Sequence, residues 1–371
     1  MTKIVADQQI PFLVDYFGQC GELIARPGRA INAEDVQDAD VLLVRSITHV
    51  DEKLLAGSNV KFVGSITAGS DHLDKQWLEA NNIAWNVAEG FNAPPVADYV
   101  ISTIAALQRK EILPLSGMKA AVIGVGNVGR LVEKHLRSLG AEVLLCDPLR
   151  ATQDNNFTSI ALEDVADVDL ITLHVPLTRT GDHPTFHFLN QSFFERQKSG
   201  TVFINASRGS IVDVDILKKY ATHLYWCFDV WQHEPNIDKE ILARTMTASP
   251  HIAGYSVQSK MRGVDMIYRI ACDKKIIQPQ AVSSMTMPTQ TLKFTGDNLH
   301  WQDAVLAIYN PLIMSAMMRA KLLEQGGGGA VFDDMRHQFN YRYEFGFTSV
   351  EAASLLDEDV VILHQLGIKV V

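Results

Sequence analysis

Ala120-Ala-Val-Ile-Gly124-Val-Gly126-Asn127-Val128-Gly129 reads as the end of an apolar strand, a tight turn and the first turn of a helix. Gly124 permits the turn, Gly126 lets the backbone approach a pyrophosphate, and Gly129 lets the helix pack close to the strand. Val128, Leu131, Val132, Leu136 and Leu139 then recur at helical spacing until Gly140 stops the run. The phosphates of a dinucleotide are expected on this helix N-terminus, at Asn127 and Val128. The next apolar strand, Glu142-Val-Leu-Leu-Cys146, ends in Asp147. An acid there accepts both ribose hydroxyls and repels a 2′-phosphate, so the expected cofactor is NAD rather than NADP.

The same texture extends both ways from this stretch. Short apolar runs at Lys3–Ala6, Val41–Val44, Val60–Val63 and Ala120–Gly124 alternate with helical segments, which predicts α/β architecture with parallel, doubly wound sheets. A chain of 371 residues is long for one core, so several domains are expected. The pattern predicts a flavodoxin-like substrate-binding domain over 1–93, completed by about 257–280, with a Rossmann-type nucleotide domain over 94–256 inserted into it. Asn92-Ala-Pro94-Pro95 breaks the chain before a helix over Val96–Leu107, and a second helical run, Val257–Cys272, carries it back. Two such crossings predict a hinge.

From about Pro279 the texture changes, and residues 281–371 read as a small C-terminal α+β domain. Gln278-Pro-Gln and Met285-Thr-Met-Pro288 read as linker, and Asn310 caps a helix from Pro311 to Leu323. Gly326–Gly329 reads as a flexible loop, Ser349–Asp357 as a helix and Val360–Leu363 as a last strand. The aromatic residues between Phe339 and Phe347 are expected to fill a core or a subunit interface.

The formal net charge of −10, with no clustered basic face, argues against nucleic acid as a partner. Cys20, Cys146, Cys227 and Cys272 form no close pair and no metal-ligand spacing, which predicts reduced thiols and no metal. Met1-Thr-Lys-Ile-Val-Ala reads as a strand rather than a leader, and no apolar stretch is long enough to span a bilayer; a soluble cytoplasmic protein is expected.

Three further segments place polar residues just after apolar runs: Asn205-Ala206-Ser207-Arg208-Gly209, Asp229-Val-Trp-Gln-His-Glu234-Pro235 and Ser249-Pro-His251-Ile-Ala-Gly254-Tyr255. In a parallel sheet such positions fall on the carboxyl edge, where ligands bind. Oxidising a secondary alcohol by hydride removal needs a base for the hydroxyl proton, a task suited to histidine. A carboxylate beside it fixes the tautomer and stabilises the imidazolium, and an arginine can clamp a substrate carboxylate with two contacts. Arg208, Glu234 and His251 supply one of each, which describes a 2-hydroxy acid as substrate.

At these residues the chain resembles the D-2-hydroxyacid dehydrogenases over most of residues 1–275, through the glycine stretch, His174-Val-Pro-Leu-Thr and the three segments above. The resemblance implies Arg208 as carboxylate binder and His251 with Glu234 as acid/base pair. It also implies NAD contacts at Asp147, Val175, Ala206, Ser207, Arg208, Asp229 and Gly254. Within the family, Ala39–Thr48 and Lys61–His72 are most similar to a member that acts on a phosphorylated four-carbon acid. That likeness implies substrate contacts at Ser46, Thr67 and Tyr255, and homodimerisation through the C-terminal domain. Arg45, beside Ser46, is a further candidate for the phosphate, and Arg342 for reaching a cleft across a dimer. A three-carbon phosphorylated acid stays open as substrate, as does an NAD-binding scaffold without turnover. His72 and His174 read as structural.

Overall fold

The computed structural model describes residues 1–280, 286–352 and 354–371. The chain forms two compact units, Met1–Asn92 with Val257–Pro288, and Ala93–Ser256 with Thr289–Val371. The linker read between Gln278 and Pro288 falls partly on residues 281–285, outside the described residues.

Five parallel strands build the first unit: β1 (Lys3–Asp7), β2 (Glu22–Arg26), β3 (Val41–Val44), β4 (Phe62–Ser65) and β5 (Ala84–Val87), in the order β2-β1-β3-β4-β5. All four residues of β3 are buried, the pattern of a strand covered on both faces. Alternation along the strands sends Ile4, Ala6, Val41 and Leu43 into one core, and Val5, Leu42, Val44 and Val63 into another. Helix Val257–Asp273 closes the first of these with Val264, Ile267 and Ala271, spaced to share one helix face. It comes so near that a β-carbon on Gly64 would lie 2.6 Å from Ile267 Cγ2. Strand β4 runs two residues beyond the apolar stretch Val60–Val63, because pairing with β3 and β5 sets its ends.

The second unit opens with helix Ala93–Gln108, which starts at the two prolines rather than after them. A first turn tolerates proline because its N–H groups have no intrahelical acceptor. Six parallel strands follow: β6 (Lys119–Ile123), β7 (Glu142–Cys146), β8 (Leu170–Leu173), β9 (Val202–Asn205), β10 (Tyr225–Phe228) and β11 (Thr247–Ala248), in the order β11-β10-β9-β8-β6-β7. Strand β6 lies between β7 and β8, so the winding reverses at its carboxyl end, where the glycine stretch begins.

The C-terminal segment adds a parallel sheet of its own, β12 (Gln290–Phe294), β13 (Thr348–Ala352) and β14 (Lys369–Val370), in that order. Trp301, Val305, Met318 and Phe332 of this segment share one core with Val100, Val122 and Phe203. Two readings of the segment are reversed. Thr348–Ala352 is a strand, paired with β12 along its length, where a helix was expected. Asp357–Leu366 is a helix, where Val360–Leu363 was expected as a strand. Acids at 357–359 suit the positive helix N-terminus and Gly367 ends it at φ 96°, whereas a four-residue apolar run does not distinguish helix from strand. Gly329, expected in a flexible loop, opens helix Gly329–His337 and packs against Asn236. No helix among the described residues is long and apolar enough to cross a membrane.

Candidate active site

The glycine loop shows three distinct steric situations. Gly124 sits at φ 85°, and a β-carbon there would come within 2.8 Å of the Val175 backbone nitrogen. A β-carbon on Gly129 would collide with the Gly124 carbonyl, so the helix Asn127–Ser138 can approach the strand only at a glycine. Gly126, the N-cap of that helix, faces open space within 4 Å. That opening, at a helix start, is the cradle a pyrophosphate needs. Asp147 closes it: its carboxylate accepts Val125 N at 2.8 Å and Arg150 N at 3.0 Å. Each oxygen has a lone pair left for a ribose hydroxyl.

Strands β9, β10 and β11 are neighbours, so the three polar segments emerge side by side from one sheet edge. In the first, Asn205 is a small hub. Its side-chain oxygen accepts Ser207 N and Oγ, and its amide donates to Arg208 O at 3.0 Å. In the second, Glu234 Oε1 accepts Trp231 N at 2.8 Å, and the Trp231 indole donates to Ser249 O. Its other oxygen, Oε2, lies 2.7 Å from His251 Nδ1. Burial works against the Glu234 charge, yet the adjacent His251, the Trp231 N–H and the Arg336 guanidinium outweigh it and hold the carboxyl below its ordinary value. An ionised Glu234 accepts only, so His251 carries its hydrogen on Nδ1 and presents Nε2 outward. The imidazole keeps 34% of its surface exposed, enough for one face to meet a substrate.

Asp229 organises the third segment. Its carboxylate, 1% exposed, accepts Ser249 Oγ and Ile252 N at 2.7 Å and Ala253 N at 2.9 Å, while its carbonyl accepts His251 N at 2.7 Å. Burial raises its pKa above the ordinary carboxylate value. These four bonds hold His251 in the left-handed region at φ 57°, which a non-glycine residue adopts only under constraint. The C-terminal segment adds a second constraint. Arg342, expected at a partner's cleft, is instead 6% exposed within its own chain, donating to Pro95 O and Ala253 O at 2.6 Å and lying over the Tyr309 ring. Ser256 Oγ donates to Glu344 at 2.6 Å, and Tyr255 stacks on Tyr341 with centroids 5.6 Å apart.

Within the first unit, Arg45 and Ser46 follow β3 and Thr67 follows β4, so all three lie at one sheet edge. Ser46 is exposed. Thr67 Oγ1 donates to Gly69 O and joins Ser65 Oγ, which meets His72 Nε2 at 2.8 Å. Arg45 is engaged: Nε donates to the fully buried Asp7 at 2.7 Å and a terminal nitrogen to Gln9. His174 is half-buried with its Nε2 against Thr172 Oγ1, and desolvation of its ring pushes its pKa down to about 3, so it stays neutral.

With this geometry, likeness to known proteins becomes informative. Residues 5–175 match the D-isomer specific 2-hydroxyacid dehydrogenase catalytic domain, and residues 99–253 match the NAD binding domain of the same group. Erythronate-4-phosphate dehydrogenase from Coxiella burnetii is 40% identical over 93% of this chain and 94% of its own. The protein of that name from Saccharophagus degradans is 39% identical over 100% of this chain and 99% of its own. The chain belongs to the D-isomer specific 2-hydroxyacid dehydrogenase family. Among solved structures, the NAD+-bound 3-phosphoglycerate dehydrogenase of Entamoeba histolytica aligns with a TM-score of 0.62 at 22% identity, over 73% of this chain and 94% of that one. The NAD complex of a formate dehydrogenase from Staphylococcus aureus aligns at 0.61 and 20%, over 76% and 98%. At that identity the likeness concerns the fold, including the NAD-binding sheet. The enzyme is an NAD-dependent dehydrogenase, and the open cradle at Gly126 fits the cofactor.

Three features of the site had no local signal. Asp229 reads as a cofactor contact and is the hub of the histidine loop. Arg336 lies 81 residues downstream of Tyr255, and Arg342 lies 89 and 247 residues downstream of the Ala253 and Pro95 carbonyls, on a segment without a recognisable motif.

Proposed function

We propose that the enzyme oxidises 4-phospho-D-erythronate to (R)-3-hydroxy-2-oxo-4-phosphooxybutanoate, a step of pyridoxal 5′-phosphate synthesis. The observation that carries the chemistry is the 2.7 Å contact between His251 Nδ1 and Glu234 Oε2 at the carboxyl edge of an NAD-binding sheet. The choice of substrate is supported by about 40% identity, over nearly the whole chain, to proteins named for it.

Arg208 binds the C1 carboxylate and polarises the adjoining C2–O bond. His251 Nε2 takes the C2 hydroxyl proton as the carbonyl forms, Glu234 stabilises the resulting imidazolium, and the exposed imidazole face returns the proton to water. When bound, NAD accepts the hydride released from C2. Gly124, Gly126, Asn127, Val128 and Gly129 seat its pyrophosphate, and Asp147 its adenosine ribose. The backbone at Val175, Ala206 and Ser207, with Asp229 acting through the loop that ends at Gly254, completes the nicotinamide side. Ser46, Thr67 and Tyr255, with Arg45 next to Ser46 in the chain, bind the rest of the substrate. The enzyme works in the cytoplasm as a homodimer joined through its C-terminal segment.

The test is turnover of the purified protein with NAD, comparing 4-phospho-D-erythronate with 3-phospho-D-glycerate and adding a 2-oxo acid in parallel to reoxidise retained cofactor. A strong preference for the four-carbon acid is expected. Preference for the three-carbon acid would keep the chemistry and discard the substrate; NAD binding without turnover of either would leave a scaffold.

A further inference from the structure

Helix Gly329–His337 carries Arg336 in its last turn. A terminal guanidinium nitrogen of Arg336 donates to the Tyr255 hydroxyl at 3.2 Å, four residues beyond His251. The guanidinium charge also acts on Glu234, lowering its pKa. Tyr255 is itself held in place by stacking on Tyr341 and by the Phe339 ring, 6.4 Å away. The hydroxyl and the guanidinium therefore form a fixed pair.

Two carboxylates act on Arg336: Glu234, and Asp333 one turn earlier, whose oxygen lies 3.7 Å from a terminal nitrogen, beyond hydrogen-bond length. The Arg336 Nε hydrogen is buried without a hydrogen-bond partner among the described residues. A guanidinium offers five N–H donors, and leaving one desolvated and unmet is costly. An ordinary helix-end arginine avoids that cost by extending into water, whereas this side chain is only 21% exposed. A tetrahedral oxyanion with several acceptors is the natural complement to such a fork, and a tyrosine hydroxyl beside it adds a further donor.

We propose that Arg336, together with the Tyr255 hydroxyl, forms a subsite for the phosphate monoester of the substrate, contributed by the C-terminal segment of the same chain. Arg336 is then a specificity-determining residue, selecting a phosphorylated acid over its unphosphorylated counterpart. The inference rests on the proposed oxidation of a phosphorylated hydroxy acid.

The experiment compares wild type, R336Q and R336K on 4-phospho-D-erythronate and on D-erythronate, with calorimetric binding of inorganic phosphate to the NAD-loaded protein as a readout independent of turnover. In R336Q the kcat/KM ratio of phosphorylated to unphosphorylated acid should fall about 30-fold, carried by KM, as expected for a lost charge-assisted bond. R336K should restore part of it, and phosphate affinity should fall in parallel. Equal losses on both acids, or a displaced pH profile of kcat at unchanged KM, would overturn the proposal and assign Arg336 to positioning Tyr255 or the His251–Glu234 pair. Unchanged phosphate affinity in both variants, with melting temperatures near wild type, would also overturn it. Failure of the wild type to oxidise the phosphorylated acid refutes the proposed function instead, and the phosphate titration still decides the subsite.

Discussion

The glycine loop at 120–147 and the C-terminal segment at 289–371 belong to one compact unit but communicate with the site in different ways. In the loop, most contacts lie within a single strand-turn-helix-strand, Gly129 against Gly124 and Val125 N on Asp147, and the one longer reach is Gly124 against the Val175 backbone. In the C-terminal segment, the contacts reach back across the chain: Arg342 to Ala253 and Pro95, Glu344 to Ser256, Arg336 to Tyr255. The difference teaches that the cofactor cradle is a property of one motif. The histidine loop is a property of the unit, held from beneath by Asp229 and from outside by the C-terminal segment.

The largest effect that tests this division is on chemistry. Replacing His251 with alanine should lower kcat by roughly 100- to 10,000-fold while NAD affinity, measured by titration, changes little. A comparable loss of NAD binding would show that the two regions are not separable. Next comes the clamp. Arg342→Met strands two buried carbonyls, so about 2–4 kcal/mol of unfolding free energy should be lost, read from denaturant midpoints. A variant as stable as wild type would mean that the C-terminal segment does not hold the Ala253 carbonyl in solution.

The smallest effect concerns pH and involves His135 in the loop region and His174 just after β8. Burial pushes His135 down to about 4 and His174 down to about 3. Both lie below the ordinary histidine value of about 6.5, so the unfolded chain binds protons that the fold refuses. The stability that each contributes is complete above about pH 6.5 and falls by roughly 1.4 kcal/mol per pH unit below it, until the folded-state value is reached. Melting temperatures measured between pH 7 and 4.5 should decline less steeply in His135→Leu than in wild type. Equal slopes would place that histidine in water.

Where function was legible in the chain, it was legible because bond geometry demands particular residue types at short spacing. The three glycines, the strand-end acid Asp147, and the polar clusters after β9, β10 and β11 are of this kind. Parallel pairing then puts the clusters on one edge whatever the tertiary details. The misread elements, Thr348–Ala352 and Asp357–Leu366, mix polar and apolar residues without a decisive local period, so their state depends on partners: the strand exists because β12 and β14 flank it. The same dependence hid Arg336, which ends its helix as an unremarkable base and acquires meaning only beside Tyr255.

Sequence alone determined the parallel α/β architecture, the NAD cofactor and the places of Arg208, Glu234 and His251 just after β9, β10 and β11, because each follows from local backbone sterics or from the order of residues along the chain. Tertiary structure alone decided that Glu234 is ionised against His251, that Asp229 and Arg342 fix the loop between them, and that Arg336 faces Tyr255. These depend on burial and on contacts between residues as many as 247 positions apart, which no local pattern encodes.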